Sequence, residues 1–254
     1  MRFKIIFYGQ PIDLLSQNKN VDIRRDFISF LKKSFEKVSK EKYNSLFSTK
    51  RLKPYVYAAF LGTELSHGRI GPQISFIFSS GDHEIISLFW NGILQLKKER
   101  EDKIILSGQK FIMKDIELLP EKKINSTKVL FRTIGISVVT NPHASPKDFK
   151  NWYVIPEKGN IEEFNKILNE RVRQKYKIIK NKDMRSEIKF SLYERNGNTL
   201  IKETIVSAFN GYIRGFRGCF FLEGEPEILK FLYDYGFGVR TGQGFGLLDV
   251  VKQA

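Results

Sequence analysis

The chain is poor in the residues from which disulfides and metal sites are made. One cysteine, Cys219, stands alone among 254 residues. It excludes a disulfide framework and a cysteine-based metal site. The three histidines, His67, His83 and His143, are scattered, with no His-x3-His or similar ligand spacing. Any chemistry is therefore expected to need neither metal nor cofactor. No apolar run approaches the length of a membrane span. Met1 to Gly9 is too short and too strand-like for a signal peptide, so a cytoplasmic protein without membrane partners is expected. Acidic residues are also few, 28 Asp and Glu against 43 Lys and Arg, for a formal charge of +15. Such an excess points to a polyanionic partner, most often nucleic acid. What is present is enough for a core, with 41% hydrophobic residues. The 22 Phe and 10 Tyr stand among basic residues, a combination suited to stacking on unpaired bases.

The pattern along the chain is α+β. Arg2 to Tyr8 alternates as a strand, and Asp22 caps a helix whose stripe is Phe27, Phe30, Leu31, Phe35 and Val38. Its other face is basic and includes Lys32 and Lys33; from Arg24 to Lys53 there are ten basic and three acidic residues. Lys53 to Phe60 reads as a strand opened by its proline, and Gln73 to Ser79 as another. Asp82 caps a second helix, and Lys103 to Leu119 gives one or two strands. The order β-α-β-β-α-β is a ferredoxin-like unit. Charged, loop-like residues from Pro120 to Thr127 make the domain boundary. The order then recurs through Val129–Val139, a helix at Ile161–Lys180, a hairpin about Asn196-Gly197, Tyr212–Leu222, a helix from Pro226 and a last strand. Two tandem ferredoxin-like (RRM-like) domains are expected, 1–119 and 128–254, with a basic cleft between their sheets.

Between the last helix and the last strand, Gly236 to Gly246 holds five glycines in eleven residues. It is no dinucleotide fingerprint, because the third glycine falls on Thr241, and no P-loop, because no Gly-Lys-Ser/Thr follows. One glycine suffices for a helix C-cap. The others favour a loop whose backbone approaches a partner, with Arg240 and Gln243 suited to an anion.

The run Gly211 to Gly246 resembles the C-terminal signature of the CRISPR repeat-RNA processing endoribonucleases of the RAMP superfamily. It has a strand, Gly224-Glu225-Pro226 at a helix start, then Gly-Phe-Gly, five residues and Gly-Phe-Gly. The resemblance implies tandem RRM-like domains, CRISPR repeat RNA as partner and metal-independent cleavage by the RNA's own 2′-hydroxyl. It also admits effector-complex subunits as partners and a homodimer. Relatives use a histidine near the end of the first helix, a lysine a few residues on and a nearby tyrosine. Here Lys53-Pro54-Tyr55 matches the lysine, the histidine position falls on Phe47 or Ser48, and Tyr43 is the candidate for orienting the 2′-oxygen. Three readings stay open. Lys53 and Lys50 act by charge; His67 reaches the same pocket; or the chain binds repeat RNA and does not cut it. Arg214, Arg217, Gly238, Arg240, Thr241, Gln243 and Gly244, with Lys32 and Lys33, are the expected RNA contacts. Arg214 and Arg217, three apart on a strand, are expected on opposite faces.

Overall fold

The computed structural model describes residues 1–14, 23–48, 52–62 and 68–253; Asp22, Lys50 and His67 lie outside them. The first half comprises β1 (Arg2–Gly9), α1 (Ile23–Val38), α2 (Lys40–Phe47), β2 (Val56–Phe60), β3 (Gln73–Ser79), α3 (His83–Lys98), β4 (Lys103–Leu106) and β5 (Gln109–Leu119). Its antiparallel sheet runs β2-β3-β1-β5-β4. This is the ferredoxin-like order with β4 added at the edge. Alternation sends Phe3, Ile5 and Phe7 of β1 to one face, where they meet Phe27, Phe30 and Phe35 of α1 and Phe89 and Ile93 of α3. The opposite face of the sheet stays open toward the second half. The strand expected from Lys53 begins at Val56. Pro54 has no N–H to give a ladder, and its carbonyl instead accepts from Ser80 Oγ.

The second half repeats the plan with β6 (Lys128–Ile134), a short α4 (Phe149–Trp152), α5 (Ile161–Lys180), β7 (Lys189–Leu192), β8 (Ile201–Ala208), β9 (Gly211–Glu223), α6 (Pro226–Tyr235) and β10 (Leu247–Gln253). The sheet order is β8-β9-β6-β10, and β7 pairs with the far end of β9. Here the expected hairpin is corrected. Asn196 and Gly197 do make a tight turn, joining Glu194-Arg195 to Asn198-Thr199. Yet β7 and β8 do not pair with each other; both lie along β9, which is long enough to take them end to end. The free edge of β7 is closed by α5. Asn169 bonds N–H and C=O of Ile188, and Asn165 does the same for Phe190. Two side-chain amides thus stand where another strand would pair.

The two halves meet through their open sheet faces. Val56 and Ala58 of β2 pack on Leu247 of β10, flanked by Ile77 and Ile134. Beside this contact Arg2, 5% exposed, reaches out of β1. Its guanidinium donates to Ser79 Oγ at 3.2 Å, to Leu248 O at 2.6 Å and to Tyr233 O, and lies 3.4 Å from the Tyr233 ring centroid. Ser79 Oγ donates to Asp234 O. On the far side Arg25 of α1 donates to Asn210 Oδ1, at the turn between β8 and β9. A cleft of about 620 Å³ remains between the sheets, bordered by Arg2, Phe60, Ile77, Lys122, Arg132 and Asp249 among others. It is less basic than expected, because Asp249 takes ion pairs from both Lys122 and Arg132.

Candidate nucleic-acid interface

The glycine loop is built around its two phenylalanines. Phe237 and Phe245 are both fully buried. Phe237 enters the core of the second half, 5.1 Å from the Phe220 ring. Phe245 fills a separate cluster with Ile136, Val138, Tyr153, Ala208 and Ile213. Each ring is flanked by glycines at positive φ: 87° and 72° at Gly236 and Gly238, 87° and 78° at Gly244 and Gly246. At two of them a side chain has no room. A Cβ on Gly238 would stand 2.1 Å from Val138 O, and one on Gly246 2.1 Å from Phe237 O. The backbone is stitched there by Phe237 N–H to Gly246 O, Val239 N–H to Val138 O and Gly246 N–H to Ile136 O. Packing therefore explains glycines that seemed from sequence to need a ligand. Gly238 and Thr241, both expected as RNA contacts, are buried within the loop's own seat.

What faces out is the tip. Arg240 is exposed, adopts φ 59° and donates to Gln243 Oε1 at 3.0 Å. The tip leans on the first half of the chain. A Cβ on Gly242 would meet Lys53 Cγ at 2.6 Å, and one on Gly244 would meet the Tyr57 ring at 2.9 Å. So the stem of Lys53 lies directly under the loop.

Around Lys53 the residues nearest the expected chemistry converge. Its ammonium donates to Leu46 O at the end of α2 and lies 5.6 Å from the Phe47 ring centroid. Lys32, from α1, lies 5.6 Å from the same ring. Tyr43 packs against Phe47 with the rings tilted and their centroids 5.4 Å apart. Burial first, and the charge of Lys32 second, pull the Lys53 pKa below the ordinary lysine value. Arg24 completes the rim, its guanidinium 4.5 Å from the Phe245 ring, while Tyr57 donates to the Arg24 carbonyl. Three segments are joined here: α1, the α2–β2 turn and the glycine loop. The arrangement places several cations about a loop backbone, which suits a phosphodiester with developing negative charge.

Two other expected contacts lie elsewhere. Lys33 is turned from Lys32 and pairs with Glu101 at 3.0 Å. Arg214 is held by both carboxylate oxygens of Glu203 and by the carbonyls of Lys150 and Tyr153. It secures α4 to the β8–β9 hairpin, and its guanidinium is engaged by these partners. Arg217 is exposed. Sequence reasoning passed over Arg24 and Phe47 as individual sites, although Arg24 opens the basic run counted above. Among the described residues no group of three or more His, Cys, Asp or Glu side chains comes together.

Residues 119–250 match the sequence model of the family described as CRISPR associated protein Cas6, C-terminal. The chain belongs to the Cas6 family. A relative from Pyrococcus furiosus described as a CRISPR-associated endoribonuclease-like protein Cas6 is 30% identical over 72% of this chain and 70% of its own. The CRISPR-associated endoribonuclease Cas6 of the same organism is 27% identical over 81% of this chain and 73% of its own. Among solved structures, that of a Cas6-related gene from Pyrococcus furiosus superposes with a TM-score of 0.77 at 20% identity, covering 100% of this chain and 99% of that one. One described as an RAMP protein binding different RNA substrates gives 0.75 at 18% identity, covering 99% and 100%. These likenesses agree with the tandem ferredoxin-like fold of this Cas6 family member.

Proposed function

We propose that this Cas6 protein is an endoribonuclease that binds CRISPR repeat RNA where the glycine-loop tip meets α1, and cuts it without a metal. The RNA's 2′-hydroxyl gives up its proton as its oxygen bonds the adjacent phosphorus. The bond to the 5′-oxygen breaks, and a proton passes to that leaving oxygen. The products are a 2′,3′-cyclic phosphate and a 5′-hydroxyl. Lys53 and Lys32 stabilise the charge on the phosphoryl oxygens. Tyr43 and the loop tip, Arg240 to Gly244, hold the ribose in line. The single observation that carries this reading is the placement of Lys53: half-buried, crowded by Lys32 and covered by Gly242. Desolvation and a neighbouring cation both disfavour the charged form of a lysine and ease the loss of its proton. Such RNA processing belongs to the cytoplasm.

The test is labelled repeat RNA incubated with the protein in EDTA. A discrete product ending in a cyclic phosphate is expected. Lys53→Met is expected to slow cleavage about 100-fold, the scale of one lost charge-stabilising donor. Binding should weaken less than about fivefold, the scale of one phosphate contact. Equal losses in rate and affinity would reduce Lys53 to a phosphate contact.

A second reading has its own support. The position where the family resemblance implies histidine falls on Phe47 or Ser48, neither of which carries an imidazole, and the Lys53 ammonium already has a carbonyl partner. On this reading the protein holds repeat RNA as a non-catalytic subunit of an effector complex, alone or as a homodimer. Tight binding with no product in the same assay selects it.

A further inference from the structure

Lys175 lies in the later half of α5, far along the chain from the loop, and is 2% exposed. Its ammonium donates to Tyr235 O at 2.7 Å and to Gly236 O at 2.6 Å. Those are the last carbonyls of α6 and the first of the glycine loop. A helix usually satisfies its final carbonyls with N–H groups of a left-handed cap. Gly236 instead has φ 87° and ψ 159°, a region open essentially to glycine alone, and the chain there turns away from α6. The lysine takes over the capping task. An ammonium also suits the negative end of the helix dipole.

We infer that Lys175 is a positioning residue for RNA: by clamping the Tyr235 and Gly236 carbonyls it sets the departure angle of the glycine loop, and with it the stance of Arg240 to Gln243 over Lys53. The geometry downstream leaves little slack. A Cβ on Gly236 would stand 2.8 Å from both Val56 and Thr241, so a change in departure angle is passed to the tip. Burial pulls the Lys175 pKa down to about 7. This is a cost that a purely apolar side chain at the same place would not carry. The titratable groups on the surrounding elements are Tyr176, bonded to Glu227; Asp234, bonded to Lys230; Tyr235 itself; and Lys180, 5.2 Å from the Tyr235 ring. The shift at Lys175 comes from burial rather than from their charges.

The inference rests on the tip facing RNA, and the test has an arm that needs no RNA. Lys175→Met keeps volume and removes both donors; Lys175→Gln keeps two N–H donors without charge. In hydrogen exchange, Lys175→Met is expected to speed the Phe237 and Val239 amides at least tenfold while β6 amides stay as in the parent. Its affinity for labelled repeat RNA is expected to fall about tenfold, with Lys175→Gln recovering part of both effects. Loop exchange unchanged in Lys175→Met overturns the inference. So does an equal loss of protection in β6, which makes the lysine merely structural. Intact RNA affinity with a loosened loop also overturns it. Failure of the parent protein to bind the RNA at all is a different result, and defeats the proposed RNA contact itself.

Discussion

Replacing Arg2 with methionine asks how firmly the two halves are held together. Lys53 comes from one half and Gly242 from the other, so the proposed site exists only while they stay docked. The change removes three donated hydrogen bonds, two of them to carbonyls of the second half, and a guanidinium stacked on Tyr233. A hydrogen bond from a charged donor contributes about 1.5–3 kcal/mol, and a desolvated cation over a ring about 2 kcal/mol. Methionine in turn spares the desolvation of a buried guanidinium, several kcal/mol. The expected net loss is about 3 kcal/mol. For a chain of this size that lowers Tm by about 6–12 °C. The chain carries its own reporters, one tryptophan in each half. Trp90 packs on Phe3, and Trp152 lies beside Arg171. Urea unfolding in Trp90→Phe and Trp152→Phe backgrounds follows the halves separately. Their transitions should coincide in the parent and come apart with Arg2→Met. Lysine at this position has one compact ammonium for acceptors in three directions, and should recover less than half. A loss below about 1 kcal/mol with transitions still coincident would mean that Arg2 does not hold the halves together.

Three further expectations follow from the site. Gly242→Ala places a Cβ 2.6 Å from Lys53 Cγ at a residue without positive φ, so Lys53 must move while the backbone tolerates the change; cleavage should fall nearly as far as in Lys53→Met, with Tm within about 3 °C of the parent. Phe47→His puts an imidazole close to both Lys32 and Lys53, whose charges favour its neutral, proton-accepting form; the cleavage rate at pH 7 should rise at least about tenfold, and an unchanged rate would mean that this position does not face the scissile bond. Lys175 has a folded pKa of about 7 against 10.5 unfolded, so the unfolded chain binds more protons between those values. Stability should then rise with pH from 7 toward 10.5, by at most about 1.4 kcal/mol per unit, and gain nothing from this group below 7; Lys175→Met should lose that slope, and urea midpoints at pH 7 and 9 measure it.

Much of the molecule can be read along the chain because it rests on local periodicity. Phe27, Phe30, Leu31 and Phe35 mark the buried stripe of α1 whatever else surrounds it, and the alternation of β1 is equally explicit. The recurrence of β-α-β-β-α-β and the charge of +15 need no contacts to be seen. In this chain the spaced Gly-Phe-Gly units answer to buried rings flanked by glycines at positive φ. The hairpin about Asn196-Gly197 was legible only as a turn. Which strand β7 joins depends on the length of β9 and on the amides of α5.

Contacts between distant segments lie beyond such reading. Lys53 and Gly242 come from opposite halves, and nothing in either neighbourhood announces that one covers the other. The glycines of the loop looked like space kept for a ligand; most of that space is taken by Val138, Val56 and Tyr57. Arg214 looked like a free cation, and Glu203, on the neighbouring strand, claims it. In the sequence Lys175 is one basic residue among Arg171, Arg173, Lys177 and Lys180 in the later half of its helix, yet its ammonium is buried against α6. The pattern of side chains along each segment sets what that segment becomes. Burial, ion pairing and pKa belong to the assembled halves, because desolvation and Coulomb energy depend on neighbours in space, and those neighbours exist only once the two sheets have closed on each other.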